Sequence, residues 1–286
     1  MPTHSLASSY QYCLSLARSH YENFPVASRL LPSDRRPAIA AVYAFARLAD
    51  DMADEGQLEP HERLHRLDDW QQKLETAVAG SADHPVFEAL ADTIERYHIE
   101  PQLFSDLLTA FRQDVVKHQY ASHVDVLSYC RCSANPVGRI VLHIFEDTRA
   151  EHMVWSDAIC TALQLTNFWQ DVSVDLKKGR LYLPLEDLDR FRYTQEDIRA
   201  GTEDQRFRDL IRFETDRTRV LFAEGAPLVR NAPKSLRFEL SVTWNGGMRI
   251  LQLIERNSYR VLSSRPSLGW RDGLMILVRG LLKKPR

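Results

Sequence analysis

Apolar side chains recur with a helical period along almost the whole chain. In PHERLHRLDDWQQKLETAVAG, Leu64, Leu67, Trp70 and Leu74 share one face of a helix. Pro85 and Pro101 open two further helices, with Phe87, Leu90 and Ile94, then Leu103, Leu107 and Phe111, as core positions. Helical spacing also runs near residues 5–20, before Pro25 and Pro32 interrupt it. HVDVLSYCRCSANPVGRIVLHIFED predicts a short helix, a break at Pro136 and Gly138, and a second helix. The period resumes between residues 203 and 256, and the tail GWRDGLMILVRGLLKKPR predicts a short amphipathic helix. There is no hairpin signal, Gly-rich phosphate loop, G-x-S-x-G or short repeat. The pattern predicts one all-α domain over residues 1–286, a bundle of about ten helices.

Two helices break the pattern in the same way. In NFWQDVSVDLKKGR, Asn167, Asp171 and Asp175 lie four residues apart, so a helix stacks them on one face, and Gln164 extends that stripe by a turn. Phe168, Trp169, Val172 and Val174 fill other faces. In AVYAFARLADDMAD, Tyr43, Arg47, Asp50 and Asp54 also stay on one face, with Asp51 beside them. Ser33 or Asp34 is placed to cap that helix and Gly56 to end it. Carboxylates on a largely apolar helix are costly unless something cationic meets them. A single acidic cluster is usually a solvated face, as Asp68 and Asp69 among Arg66, Gln71 and Lys73 illustrate. Asn167 is different, because Asn gains little by sitting in mid-helix. Two such ladders far apart in the chain predict helices that line a central cavity and hold hard divalent cations. Mg2+ suits them, with water and substrate phosphate completing its oxygen shell. Lys177, Lys178 and Arg180 follow the second ladder, where an anion would lie.

Composition narrows the picture. Hydrophobic residues make up 44% of 286, enough for a sizeable core, and 11 Gly with 13 Pro are few for a turn-rich β fold. A formal net charge of -2 gives no electrostatic case for nucleic acid. Cys13, Cys130, Cys132 and Cys160 include no C-x-x-C and read as the reduced thiols of a cytoplasmic protein. The N-terminus lacks the basic and apolar blocks of a signal peptide, and no apolar run reaches membrane-spanning length. The tail helix either lies on a membrane surface, making the protein peripheral on the inner face, or packs on the body; both readings stay open.

Four segments, in order, resemble the squalene/phytoene synthase family, head-to-head prenyl synthases of the class I isoprenoid fold. YAFARLADDMAD is similar to the family's first aspartate-rich motif and NFWQDVSVDLKKGRLYLP to its second. YCRCSANPVG is similar to the tyrosine segment between them, and LQLIERNSYRVLSSR to the ending found in phytoene synthases. The resemblance covers nearly the whole chain. It implies that Asp50, Asp54, Asn167, Asp171 and Asp175 hold several Mg2+ ions that grip a diphosphate. Arg47, Arg180 and Lys178 would hold diphosphate oxygens, the planar guanidinium suiting bidentate contacts. Tyr43, Asp51, Tyr129, Gln164 and Tyr182 would line the reaction centre. Taken alone, each tyrosine would more often be an ordinary core residue.

Two departures from the family pattern point to one branch. Asn23-Phe24 stands in the substrate-contacting register where many relatives carry Ser-Phe, and Gln170 stands where many carry Arg. HYENFPVAS and NFWQDV resemble the hopanoid-pathway branch. That resemblance implies ionisation of presqualene diphosphate and capture of the cation by water, giving hydroxysqualene, with Gln170 helping to position the water. No NAD(P)H is expected, and the chain shows no dinucleotide fingerprint. The implied partners are a prenyl diphosphate lipid and the pathway enzymes that make presqualene diphosphate and reduce hydroxysqualene. Two alternatives remain: a transferase joining two prenyl diphosphates to presqualene diphosphate, squalene or phytoene, and a non-catalytic helical scaffold that binds a lipid diphosphate.

Overall fold

The computed structural model describes residues 5–19 and 31–282. Among these residues the chain is helical throughout, with one isolated bridge between Gln119 and Leu181 and no strand. Thirteen helices are described: α1 Leu6–Ser19, α2 Arg36–Asp54, α3 Pro60–Val78, α4 Pro85–Tyr97, α5 Gln102–Val116, α6 His123–Ser133, α7 Asn135–Ile144, α8 Ala150–Lys177, α9 Leu185–Arg190, α10 Gln195–Arg199, α11 Gln205–Asn231, α12 Lys234–Arg256 and α13 Trp270–Leu282. They fall into two compact units. One unit comprises residues 1–116, 136–153 and 233–239; the other comprises 117–135, 154–232 and 240–286.

In the first unit α2 packs against α1, α3, α4 and α5. Phe45 of α2 is fully buried, and its ring lies 5.5 Å from that of Phe104 and 6.0 Å from those of Trp70 and Phe87. Four helices therefore meet on one aromatic cluster, the T-shaped and stacked arrangements that ring quadrupoles favour. The apolar face of α2 is thereby fixed, and Tyr43, Arg47, Asp50, Asp51 and Asp54 are left on its half-buried face. Arg63 of α3 closes the far end, donating to the carbonyls of Ala53 at 2.8 Å and Gly56 at 2.7 Å. A cation among the last carbonyls also suits the helix dipole.

Three local expectations are corrected. Ser33 and Asp34 do not cap α2: the cap position is Arg35, in helical conformation and without a side-chain cap bond. Tertiary contacts hold that end instead, with Arg35 donating to the Ile144 carbonyl at 2.9 Å. The break between α6 and α7 lies at Ala134, before Pro136 and Gly138. Pro136 sits in the first turn of α7, where its missing N–H costs nothing. The expected count of about ten helices is exceeded partly because the short α9 and α10 were not foreseen.

In the second unit α8, α11 and α12 pack with small residues at the contacts. A Cβ on Gly225 would lie 2.8 Å from the Trp155 carbonyl oxygen, and one on Gly247 would strike Phe222 and Leu163. Two buried indoles of this unit are satisfied: Trp169 donates to Thr218 Oγ1 at 2.9 Å and Trp244 to the Phe222 carbonyl at 2.8 Å. Arg217 bridges two buried carboxylates, donating to Asp187 at 2.8 Å and Glu214 at 2.6 Å. Two carboxyl groups share one cation there. Burial first, opposed by Arg217 and reinforced by Asp187, pushes the Glu214 carboxyl up to about 8.

Two predictions follow from this packing. Gly225→Ala lowers the free energy of unfolding by about 1–3 kcal/mol, because a backbone carbonyl cannot step aside. Gly246→Ala, where nothing lies within 4 Å, raises it by up to about 1 kcal/mol through helix propensity. Denaturant titration of both variants checks the pair. Glu214 takes up its proton at a higher pH when folded than when unfolded, so its contribution is full below about 4.5 and falls as pH rises towards about 8. Glu214→Gln is expected to flatten the stability–pH slope in that window, read from midpoints measured across it.

Candidate active site

The first polar ladder is a cation set among acids. Arg47 contacts Asp51 at 2.5 Å, Glu55 at 2.8 Å and Asp50 at 3.8 Å. Burial works against the Arg47 charge, but Asp51, Asp50 and Glu55 outweigh it and the net shift is upward. Burial also pushes the Tyr43 hydroxyl up, with Arg47 one turn away pulling it back. Asp50 and Asp54 lie half-buried on the same face.

The second ladder lies on the C-terminal half of α8. Asn167 is exposed and donates its amide to Asp171 at 2.8 Å. Asp171 also receives Arg265, whose Nε and Nη2 address its two oxygens, the latter at 3.1 Å. That forked geometry is the strong form of the guanidinium–carboxylate pair. It holds the Arg265 guanidinium above its ordinary range, the hydrogen bond to Asp171 first and the charges of Asp171 and Asp175 after it. Gln170, the next residue, donates Nε2 to the Pro266 carbonyl at 2.6 Å. Adjacent residues of α8 thus grip adjacent residues of the segment that leads to α13. Asp175 and Gln164 are half-buried on the same helix. Beyond it the chain turns at Gly179, with φ of 76°, and the N–H groups of Lys178 and Arg180 both reach the Asp175 carbonyl at 2.9 Å. Lys178 is exposed and Arg180 half-buried.

An aromatic box stands beside this ladder in the same unit. The rings of Phe168 and Tyr182 stack at 3.7 Å with an interplanar angle of 6°. Tyr120 lies 5.5 Å from Tyr182, and Tyr129 lies 5.7 Å from Tyr120, 5.8 Å from Tyr182 and 6.0 Å from Phe168. All four are buried. Backbone pairing builds the box: Leu181 donates to His118 at 2.8 Å and Leu185 to Tyr120 at 3.0 Å, so Tyr182 is carried against Tyr120.

The structure therefore brings Tyr129 and Tyr182 together, and Asn167 with Asp171. Asn23 and Phe24 lie outside the described residues. Sequence reasoning missed Tyr120, Phe168 and Arg265. Phe168 was read as packing on another face of the helix, and Arg265 ends the quoted segment LQLIERNSYRVLSSR without a role.

Among the described residues, no group of three or more His, Cys, Asp or Glu side chains could hold a metal ion. The donors on the two ladders are hard oxygens, and Asp171 already takes a cation in the form of Arg265. Such partial oxygen sets fit an ion whose remaining positions go to water and phosphate.

Comparison with known proteins identifies the family. The family model for squalene/phytoene synthase matches residues 17–272. The crystal structure of squalene synthase HpnC from Alicyclobacillus acidocaldarius is 42% identical, with a TM-score of 0.85 over 89% of this chain and 95% of that one. The hydroxysqualene synthase of Sinorhizobium fredii is 35% identical, covering 82% of this chain and 80% of the relative. A phytoene synthase of Arthrospira platensis is 31% identical, covering 90% and 87%. The fold is thus the all-α fold of isoprenoid synthases, and the chain belongs to the squalene/phytoene synthase family of enzymes, which act on prenyl diphosphates.

Proposed function

We propose that this enzyme converts presqualene diphosphate and water to hydroxysqualene and diphosphate, in squalene and hopanoid biosynthesis, with Mg2+ bound alongside the substrate. The observation that carries the choice of product is the 35% identity to a hydroxysqualene synthase, joined by the neutral Gln170 beside Asp171. Asp50, Asp54, Asn167, Asp171 and Asp175 would hold the ions. Bound Mg2+ supplies Lewis-acid neutralisation of the departing diphosphate. Arg47, Arg180 and Lys178 add direct contacts to its oxygens.

The carbon–oxygen bond to diphosphate breaks with both electrons leaving on oxygen. The resulting cyclopropylcarbinyl cation needs stabilisation without a nucleophile other than the intended water. The aromatic box of Tyr120, Tyr129, Phe168 and Tyr182 would wall that cation off from bulk water. After rearrangement a water oxygen bonds to carbon, and its proton leaves with the diphosphate. Gln170 acts as a positioning residue in this reading: its NH2 group holds the Pro266 carbonyl, which orients its remaining amide oxygen. A transferase joining two prenyl diphosphates is favoured by the 31% identity to a phytoene synthase over 90% of the chain and by the 42% identity to a structure described as a squalene synthase.

Purified protein given presqualene diphosphate with Mg2+ should release hydroxysqualene and diphosphate, and chelation should abolish both. Turnover of farnesyl diphosphate in its place would select the transferase. Asp171→Asn is expected to slow diphosphate release on the order of 100-fold. Gln170→Arg should cut the hydroxylated fraction of product about tenfold, the value of one lost hydrogen bond. An unchanged product ratio would remove Gln170 from water capture.

A further inference from the structure

Residues 257–269, between α12 and α13, form a strap whose middle touches the second acidic ladder. Arg265 forks Asp171, and the Pro266 carbonyl takes the Gln170 amide. Neither residue lies in a helix, so the strap must be held in register by other means. Val261 and Pro266 are buried. Asn257 folds the strap on itself, donating to the carbonyls of Arg260 at 2.5 Å and Ser264 at 3.4 Å. At the far end the Gly269 N–H donates to Asp272 at 2.9 Å, and Arg249 donates to the same carboxylate at 2.6 Å.

At the near end the holder is Glu203, which stands in the same unit but about 60 residues upstream. Its Oε1 accepts the N–H groups of Leu262 at 2.8 Å and Ser263 at 3.2 Å, and its Oε2 accepts the Ser263 hydroxyl at 2.5 Å. Hydrogen bonds to an ionised acceptor are the stronger kind. Glu203 is itself fixed from both sides. Before it, the Tyr193 hydroxyl donates to the Thr202 carbonyl at 2.5 Å. After it, Asp204 caps α11 by accepting the Phe207 N–H at 3.2 Å, and Arg206 lies 2.7 Å from the same carboxylate.

We propose that Glu203 is a positioning residue for the reaction: by fixing Leu262 and Ser263 it seats the strap so that Arg265 meets Asp171 and the Pro266 carbonyl meets Gln170. The reach of the chain makes the link short. Three residues separate Ser263 from Pro266, at most about 10 Å of extended backbone. With Ser263 held, neither the Arg265 guanidinium nor the Pro266 carbonyl can move far from α8. This role rests on the reaction proposed above and deepens it, since it names what holds two groups of the site in place. Glu203 touches neither Asp171 nor Gln170 in its printed bonds and acts on both only through the strap.

Diphosphate release is measured with Mg2+ from whichever of presqualene diphosphate and farnesyl diphosphate the native enzyme turns over. Glu203→Ala should slow it about tenfold. Glu203→Gln keeps one oxygen for both N–H groups and its amide can donate to the Ser263 hydroxyl oxygen, so it should stay within about threefold of native. In a background of Arg265→Ala with Gln170→Ala, Glu203→Ala should cost less than about twofold, because the contacts it positions are already gone. A full loss in that background, or a native rate in Glu203→Ala alone, overturns the role. Amide hydrogen exchange reads the strap without substrate: residues 262–268 should exchange at least about tenfold faster in Glu203→Ala, and an unchanged rate also overturns it. Should Glu203→Ala fail to fold, Ser263→Ala removes the hydroxyl bond alone and is expected to give about threefold effects in the same assays. A native enzyme inactive on both diphosphates refutes the proposed reaction, whereas an active one indifferent to Glu203→Ala refutes only the positioning role.

Discussion

An acid on a half-buried helical face must be met by a positive charge, and the two polar ladders meet that demand in different ways. On α2 the cation is local: Arg47 sits within two turns of Asp50, Asp51 and Glu55, and the helix satisfies itself. On α8 the cation comes from 94 residues downstream, as Arg265 reaches Asp171. The difference shapes what each ladder can do. A local pair belongs to the helix and stays with it. A distant pair makes the state of one carboxylate depend on where another segment of the chain rests.

The proposed reaction would give that dependence a use. Asp171 now grips a guanidinium in a forked pair, which offsets the cost of its partial burial. Arg265 is attached through a short connection to α13, and Gln170 fixes the neighbouring residue. The aromatic box lies on the other side of the same stretch, since Phe168 precedes Trp169 and Gln170 on α8. Polar grip and apolar wall are interleaved on a single helix, which in the proposed reaction would keep the departing charge close to the cation it leaves behind.

Much of this was legible in the residues, because its causes are local. Helical period fixed the course of α3, α4 and α5, and the four-residue spacing of Asn167, Asp171 and Asp175 placed them on one face. What failed was set by contacts between distant segments. The start of α2 is held by Arg35 on the Ile144 carbonyl, so Ser33 and Asp34 are not needed as caps. Pro136 predicts a break from sequence alone but lies in a first turn, where proline is at home. Tyr120 joins the box only because the Leu181 and Leu185 amides pair with the backbone near it. Arg265 has no local pattern that marks it as a partner of Asp171.

The long reach of Arg265 also orders events during synthesis. A ribosome that has released α8 has not yet made the residue that balances its charge. Until the last part of the chain emerges, the Asp171 carboxylate keeps the Asn167 amide, and the second unit lacks the clasp between α8 and the segment before α13. Chains cut short before Arg265 therefore lack the forked partner of Asp171 and the clasp it makes.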